Sequence, residues 1–181
     1  MPRNLDARHI ASQDGGYEPQ RTNQWSIRIS AIGQNGGVNR SSSDVIEASL
    51  HNFTPPKQNI TELAIPYGNS EVKVAGRVEM ENMTLVLKDF VDVGTWQVFW
   101  DWQQLVYNHQ TGGIGYASAY KREGLIYLYA PDGTKERRFR AVGIWPSQIT
   151  PSDFDMTGAE QNLLTVNMVT DAIRAEQLVA A

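Results

Sequence analysis

The chain has no cysteine among its 181 residues, which excludes disulfides, thiolate nucleophiles and cysteine-ligated metals together. No stretch approaches the roughly 18 apolar residues of a membrane-spanning helix. The first residues, MPRNLDARHIASQDGGYEPQ, lack the apolar segment of a secretory signal. These absences point to a soluble chain made in the cytoplasm, with no membrane partner. Charge of one sign is also scarce: 16 Lys+Arg against 20 Asp+Glu leave a formal charge of -4. A dedicated nucleic-acid binder normally carries a basic balance or stripe.

Catalytic sets are missing as well. His9, His51 and His109 have no partner at metal-ligand spacing and read as solvated loop histidines. Asp153 and Asp155 alternate around Phe154, but the further acidic positions of a calcium loop do not follow. Glu79 and Glu81 read as solvent-facing strand carboxylates. Ser41, Ser42 and Ser43 lack the glycine-flanked context of a nucleophile elbow. The glycines of GQNGG do not lead from a strand into a helix, so they make no phosphate cradle. No catalytic residue, cofactor or metal site is expected, and the chain reads as a non-enzyme.

What remains is an ordinary globular composition, with 41% hydrophobic and 20% charged residues, enough for one domain. Residues 1–22 are polar and aperiodic and read as a flexible arm. Residues 23–173 form the folded domain, and 174–181 a tail. Trp25, Ile27, Ile29 and Ala31 alternate with polar residues in a half-buried strand. GQNGGVNRSSS is a loop, DVIEASL a strand, and ITELAIP a short apolar stretch after Pro55-Pro56. YGNSEVKVAGR reads as flexible or turn-rich. VEMENMTLVLKDF is the longest extended candidate, with Met83, Leu85 and Leu87 facing a core.

One helix is expected, over about residues 95–109, with Thr95 as N-cap. Its stripe of Trp96, Phe99, Trp100, Gln103 and Tyr107 falls at helical spacing. Trp96 and Trp100 are the expected core anchors, while Trp102 points elsewhere on the wheel and calls for a partner. GLIYLYA and KERRFRAVGIW flank the turn Pro131-Asp132-Gly133 and read as a hairpin. Arg138 and Arg140 share one strand face, opposite to Arg137 and Phe139. Charge on both faces of a hairpin end suits a contact between subunits better than a core. Pro146 and Pro151 flank a connector, and QNLLTVNMVTDAI is the last strand. The fold class is α+β, mainly β: a small antiparallel β-barrel or sandwich with one helix.

The order of these segments resembles the tail tube proteins of contractile-tailed bacteriophages. The likeness rests on VEMENMTLVLKDF, then the helix WQVFWDWQQLVYN, then the hairpin with its Asp-Gly turn leading to Trp145-Pro146. A short loop rich in Asp and Gly follows, and a final strand in the style LTVNMVTD closes the pattern. It covers roughly residues 23–173, most of all 78–172. The tube proteins of type VI secretion and other contractile injection systems are held to share this fold.

The resemblance implies hexameric rings stacked into a hollow tube inside a contractile sheath, in a virion assembled in the bacterial host cytoplasm. The implied partners are further copies of the chain, a sheath protein, a tape-measure protein, and baseplate and tail-terminator proteins. DNA would pass through the lumen without specific binding. The polar strand positions Asn82, Thr84, Lys88, Thr165 and Asn167 suit a wet lumen. The segment from Pro66 to Arg77, with Tyr67, Asn69, Glu71 and Lys73, is the candidate ring-to-ring contact. Trp102, Arg137, Arg138 and Arg140 are candidate subunit contacts. The alternatives are a type VI-like or bacteriocin tube subunit or a baseplate tube initiator, and a monomeric barrel binding a ligand near Trp100 and Trp102.

Overall fold

The computed structural model describes residues 20–30, 42–90, 93–157 and 160–176. The expected arm up to residue 19, most of the glycine-rich tract and residues 177–181 lie outside them. In chain order the described elements are β1 (Trp25–Ile29), α1 (Ser42–Ser49), β2 (Leu50–Thr54), β3 (Gln58–Tyr67), β4 (Ser70–Met80) and β5 (Met83–Lys88). Then come α2 (Thr95–Val106), the short pair β6 (Tyr107–Asn108) and β7 (Gly113–Ile114), and α3 (Ala117–Tyr120). The chain ends with β8 (Arg122–Tyr129), β9 (Lys135–Pro151), β10 (Leu163–Val169) and β11 (Ala172–Glu176).

Seven strands make one antiparallel sheet in the order β1-β8-β9-β10-β5-β2, with β11 beside β9. The fold is therefore mainly β, but the sheet is not closed into a barrel. Strands β1 and β2 end it without pairing to each other, and a Trp25–Phe53 ring contact, 5.5 Å between centroids, spans the open side.

The hub is β9. Its first part, up to Ile144, pairs with β8 on one side and, over Arg138–Val142, with β11 on the other. Its last part, Trp145–Pro151, pairs with β10. Just before this junction the pairing with β8 skips Gly143, whose φ of 69° is a left-handed conformation that only glycine adopts without strain. The space that a side chain there would need is filled by the Asp171 carboxylate, which Lys121 holds by a 2.6 Å ion pair. The bulge at this point turns β9 from one half of the sheet to the other. Both halves then fold over a single core.

That core draws Ile27 and Ile29 from β1, Val45 and Ile46 from α1, and Met83, Leu85 and Leu87 from β5. It adds Val98, Phe99 and Trp102 from α2, Ile126 from β8, and Leu164, Val166 and Met168 from β10. Each such side chain contributes roughly 1.5–3 kcal/mol by leaving water.

Several local expectations are corrected. DVIEAS lies in a helix and only Leu50 opens a strand, because Ser42, Val45, Ile46 and Ser49 fall on one buried face at helical spacing. YGNSEVKVAGR is largely strand: a two-residue Gly68-Asn69 turn joins β3 to β4, with Tyr67 opposite Ser70, and Gly68 supplies the positive φ such a hairpin turn requires. The segment from Pro146 to Pro151 is strand rather than connector. The expected last strand is two, split at Thr170-Asp171, and the second runs on to Glu176, into the expected tail.

The helix ends at Val106, and Thr95 is not its N-cap. Gly94 occupies that place, and the buried Thr95 hydroxyl instead meets the Ser49 hydroxyl at 2.8 Å. The tryptophan assignment is also corrected. The buried stripe of α2 is Thr95, Val98, Phe99 and Trp102, one position round from the expected one. Trp100 and Trp102 stand about 200° apart on a helix, so only one can face the core. Trp102 is fully buried and donates its indole N–H to the Tyr120 carbonyl at 2.6 Å, so it is no subunit contact. Trp100 is 41% exposed and is no core anchor. Trp96 packs on the core while partly buried.

Candidate functional site

Two surfaces stand out because the protomer does not complete them. The first is the half-sheet β2-β5-β10 with the end of β9. Its inner face is apolar and sealed. On its outer face Thr84, Lys88, Thr165 and Asn167 are all half-buried, brought together because Thr84 pairs with Asn167 and Lys88 with Leu163 across β5 and β10. The Thr84 hydroxyl donates to Asn167 Oδ1 at 2.9 Å, and Asn167 Nδ2 donates to Gln148 Oε1 at 3.3 Å. A ladder of uncharged polar groups thus crosses three strands, with Lys88 the cation at its end. Asn82 is exposed but lies in the break between β4 and β5 rather than on this face.

Both edges of this half-sheet are free among the described residues. Strand β2 pairs only with β5, and Trp145–Pro151 of β9 pairs only with β10. Each edge offers main-chain N–H and C=O groups to another strand.

The second surface is the hairpin β3–β4. Among the described residues its strands pair only with each other, and every residue except Thr61 and Met80 is exposed. The exposed residues include Ile60, Leu63, Ile65, Tyr67, Val72, Val74 and Val78. Tyr67 and Asn69 sit at the hairpin tip. Glu71 and Lys73 lie on the opposite face from Tyr67, where Lys73 Nζ meets Glu62 at 2.9 Å. Reading this segment as turn-rich missed the strand; Glu71-Val72-Lys73-Val74 alternation after a Gly-Asn turn is the signal that finds it.

The arginine cluster is largely engaged within the protomer. Arg138 and Arg140 both reach Glu176, at 2.7 and 2.6 Å, and Arg140 lies 3.4 Å from Glu123. Arg137 is exposed. Among the described residues no group of three or more His, Cys, Asp or Glu converges, and His9 lies outside them. His51 lies on β2, and His109 stacks on Trp100 with ring centroids 6.1 Å apart. Asp155 caps a turn, accepting from the Thr157 N–H and hydroxyl, and those two donors hold its carboxyl below the usual carboxylate range.

An aromatic pocket between Trp100 and Trp102 does not exist. Trp102 is sealed in the core, and Trp100 lines a shallow surface hollow with Gln97, Asp101, Gln104 and His109. An apolar cleft of ≈ 540 Å³ lies instead on the open side, lined by Trp25, Phe53, Leu128 and Phe139.

Solved structures share this fold. A chain in the cryo-EM structure of the anti-feeding prophage tube-terminating cap superposes with a TM-score of 0.67 at 15% identity, over 93% of this chain and 97% of that one. A chain of the anti-feeding prophage baseplate gives 0.66 at 8% identity, covering 88% and 96%. A chain of the sheath-tube complex of an extracellular contractile injection system, PVC, gives 0.59 at 15% identity, covering 96% and 99%. At these identities the likeness is one of fold. A comparison with curated proteins finds no match. The family model described as T4-like virus tail tube protein gp19 matches residues 37–174, the half-sheet, the hairpin and the helix together. The chain thus belongs to that tail tube family and is a structural protein, not an enzyme.

Proposed function

We propose that this tube subunit builds the inner tube of a contractile phage tail. Copies close laterally into a hexameric ring, rings stack, and the polar face bearing Thr84, Thr165 and Asn167 lines a conduit through which DNA leaves the virion. The observation that carries this reading is the four-strand half-sheet with one sealed face, one polar face and two free edges. Pairing β2 of one copy with the Trp145–Pro151 edge of the next satisfies both edges and continues the sheet around a ring. Such an interface is heterologous, and it yields a closed ring when its rotation closes. A wall whose named polar groups are uncharged except for Lys88 at its end suits passage of a polyanion, since a wall of cations would hold phosphates.

The exposed face of α2 and the outer surface of the ring are left for a sheath. Tape-measure, baseplate and terminator proteins complete the assembly in the host cytoplasm. Negative-stain microscopy of the purified chain tests the proposal. Rings or tubes with a central hole are the expected result, and a species that stays monomeric at high concentration would overturn it.

A second reading is supported by the company of the fold. The structural relatives named above come from an anti-feeding prophage and an extracellular contractile injection system, so the same subunit architecture suits a particle that delivers protein rather than DNA. Capsid genes beside the sheath gene, or their replacement by toxin genes, separate the two.

A further inference from the structure

Strand β9 carries two complementary surfaces at its opposite ends. Its start lines the apolar cleft on the open side, where Phe139 meets Ile126 across the ladder and Trp25, Phe53, Leu128 and Ile173 complete the walls. The cleft has a charged rim. No register shift separates the pairs Ile126–Phe139 and Leu128–Arg137, so Arg137 shares the face of the cleft and stands exposed beside Leu128. A volume of ≈ 540 Å³ lies in the range that takes up a drug-sized ligand, and it accommodates more than one large side chain.

The other end of β9 leads to an apolar knob. After Pro151 the chain leaves the sheet and returns to it as β10, and the neck of this loop is tied. Ser152 Oγ donates to Asn162 Oδ1 at 2.6 Å, and Asn162 Nδ2 donates to Asp89 Oδ2 at 3.1 Å. Beyond the neck Phe154 is 79% exposed and Met156 wholly so. The exposed carboxylates of Asp153 and Asp155 flank Phe154, and the Thr157 N–H and hydroxyl fix Asp155 in a turn. Two large apolar side chains with carboxylates beside them complement an apolar cleft with an arginine at its rim.

No protomer makes this contact with itself. The run from Gly143 to Pro151 alone spans about 26 Å at roughly 3.3 Å per residue, and Phe139 lies further back still. Three residues beyond Pro151, Phe154 reaches back at most about 10 Å. Knob and cleft also stand at opposite ends of the half-sheet. At the knob end Lys88 pairs with Leu163 and Leu50 with Leu87; at the other end Thr54 pairs with Thr84, and Phe53 and Pro55 enter the cleft wall. A contact between opposite ends of identical units is heterologous and repeats along an axis. Building on the tube reading above, we propose that Phe154 and Met156 of each subunit insert into the cleft between Trp25, Phe53 and Phe139 of a subunit in the adjacent ring, with Asp153 facing Arg137 at its rim.

Crosslinking tests this in the full-length chain, which has no cysteine. Thr22 lines the cleft and Met156 sits on the knob, and both are exposed. The double variant Thr22→Cys, Met156→Cys, treated as assembled tubes with a short bis-maleimide, should give a ladder of dimers, trimers and longer species on denaturing gels. The same variant treated as monomers or single rings should give none. Phe154→Ser is expected to keep the parent monomer melting temperature and to form rings, with tubes shortened at least tenfold. Arg137→Asp and Asp153→Arg should each shorten tubes, and the two together should restore the parent length.

Tubes that give no ladder, or Phe154→Ser tubes of parent length, overturn the knob-and-cleft contact and leave the tube reading standing. A ladder already formed in single rings overturns the axial assignment, and a charge exchange that restores nothing overturns the Asp153–Arg137 pairing. A fall of several degrees in the melting temperature of the Phe154→Ser monomer returns Phe154 to the protomer's own packing and overturns the contact as well. A parent chain that never forms tubes overturns both this contact and the tube reading.

Discussion

The ladder of β5 with β10 and the ladder of β3 with β4 are both antiparallel, both alternate apolar with polar residues, and end in opposite states. In the first, Met83, Leu85, Leu87, Leu164, Val166 and Met168 are each 1% exposed or less. In the second, Leu63 is 56%, Ile65 47% and Val72 54% exposed. An isolated two-stranded hairpin is marginal in water because neither face is covered. The difference teaches that alternation announces a face to be buried without saying whether the cover comes from the same chain. The first ladder holds the protomer together; the second is left exposed by the described residues.

The largest expected effect lies in the sealed ladder. Leu85→Asp leaves an unpaired charge in the core at a cost of several kcal/mol, close to the whole stability of a domain this size, so no cooperative melt is expected by circular dichroism. A well-folded Leu85→Asp protein would erase the distinction between the two ladders. Next is Gly143→Ala, which must hold φ near 69° while displacing Asp171 from beside Lys121. A loss of about 1–3 kcal/mol is expected by chemical denaturation, with the two halves of the sheet loosened together. Ile65→Ser in the hairpin should change monomer stability by no more than about 0.5 kcal/mol, while reducing tube formation. A monomer penalty like that of a core truncation, about 2–5 kcal/mol, would show that the hairpin shares the protomer's core.

The smallest effect concerns two exposed turns outside both ladders. Asp132 is held below the usual carboxylate range by the Thr134 N–H and then by its hydroxyl, and Asp155 in the same way by Thr157. A carboxyl with a depressed folded-state pKa stabilises the turn above its unfolded value, and that contribution disappears as the pH falls through the depressed one. Carboxyl NMR titration should place both midpoints below those of an unfolded peptide. Because neither turn belongs to a sealed ladder, the same acid range should leave the Leu85 region protected from hydrogen exchange. Loss of protection there in step with the turns would tie the ladder's stability to them.

Much of this was legible in local pattern. The alternation in MTLVLK placed Met83, Leu85 and Leu87 on one face, and Pro131-Asp132-Gly133 marked the turn between β8 and β9. The polar positions Thr84, Thr165 and Asn167 were recognisable from the same alternation, although only the register joins Thr84 to Asn167. Where two patterns competed, the local reading failed. DVIEASL carries β-formers but also apolar residues at helical spacing, and packing of Val45 and Ile46 decided for helix. The aromatic helix offered two overlapping stripes. The one containing Gln103 looked richer in tryptophan, yet Thr95, Val98, Phe99 and Trp102 form the stripe without an amide to bury.

From its sequence alone this chain is a cysteine-free, β-rich domain of nearly balanced charge, and its order of elements resembles that of tail tube proteins. The composition and the strand pattern rest on residue types, turn residues and period-two alternation, which act over a few neighbouring residues. The tertiary structure alone decided that the sheet stays open, that β9 changes sheet halves at Gly143, that Glu176 occupies Arg138 and Arg140, and that Trp102 rather than Trp100 lies inside. Each depends on groups distant in sequence meeting in space: Gly143 with Asp171, Arg138 with Glu176, Trp102 with the Tyr120 carbonyl. The hairpin shows the same limit. Its valines share a parity that alternation reads as one face, and only the skipped residue opposite Thr61 turns Val78 to the other.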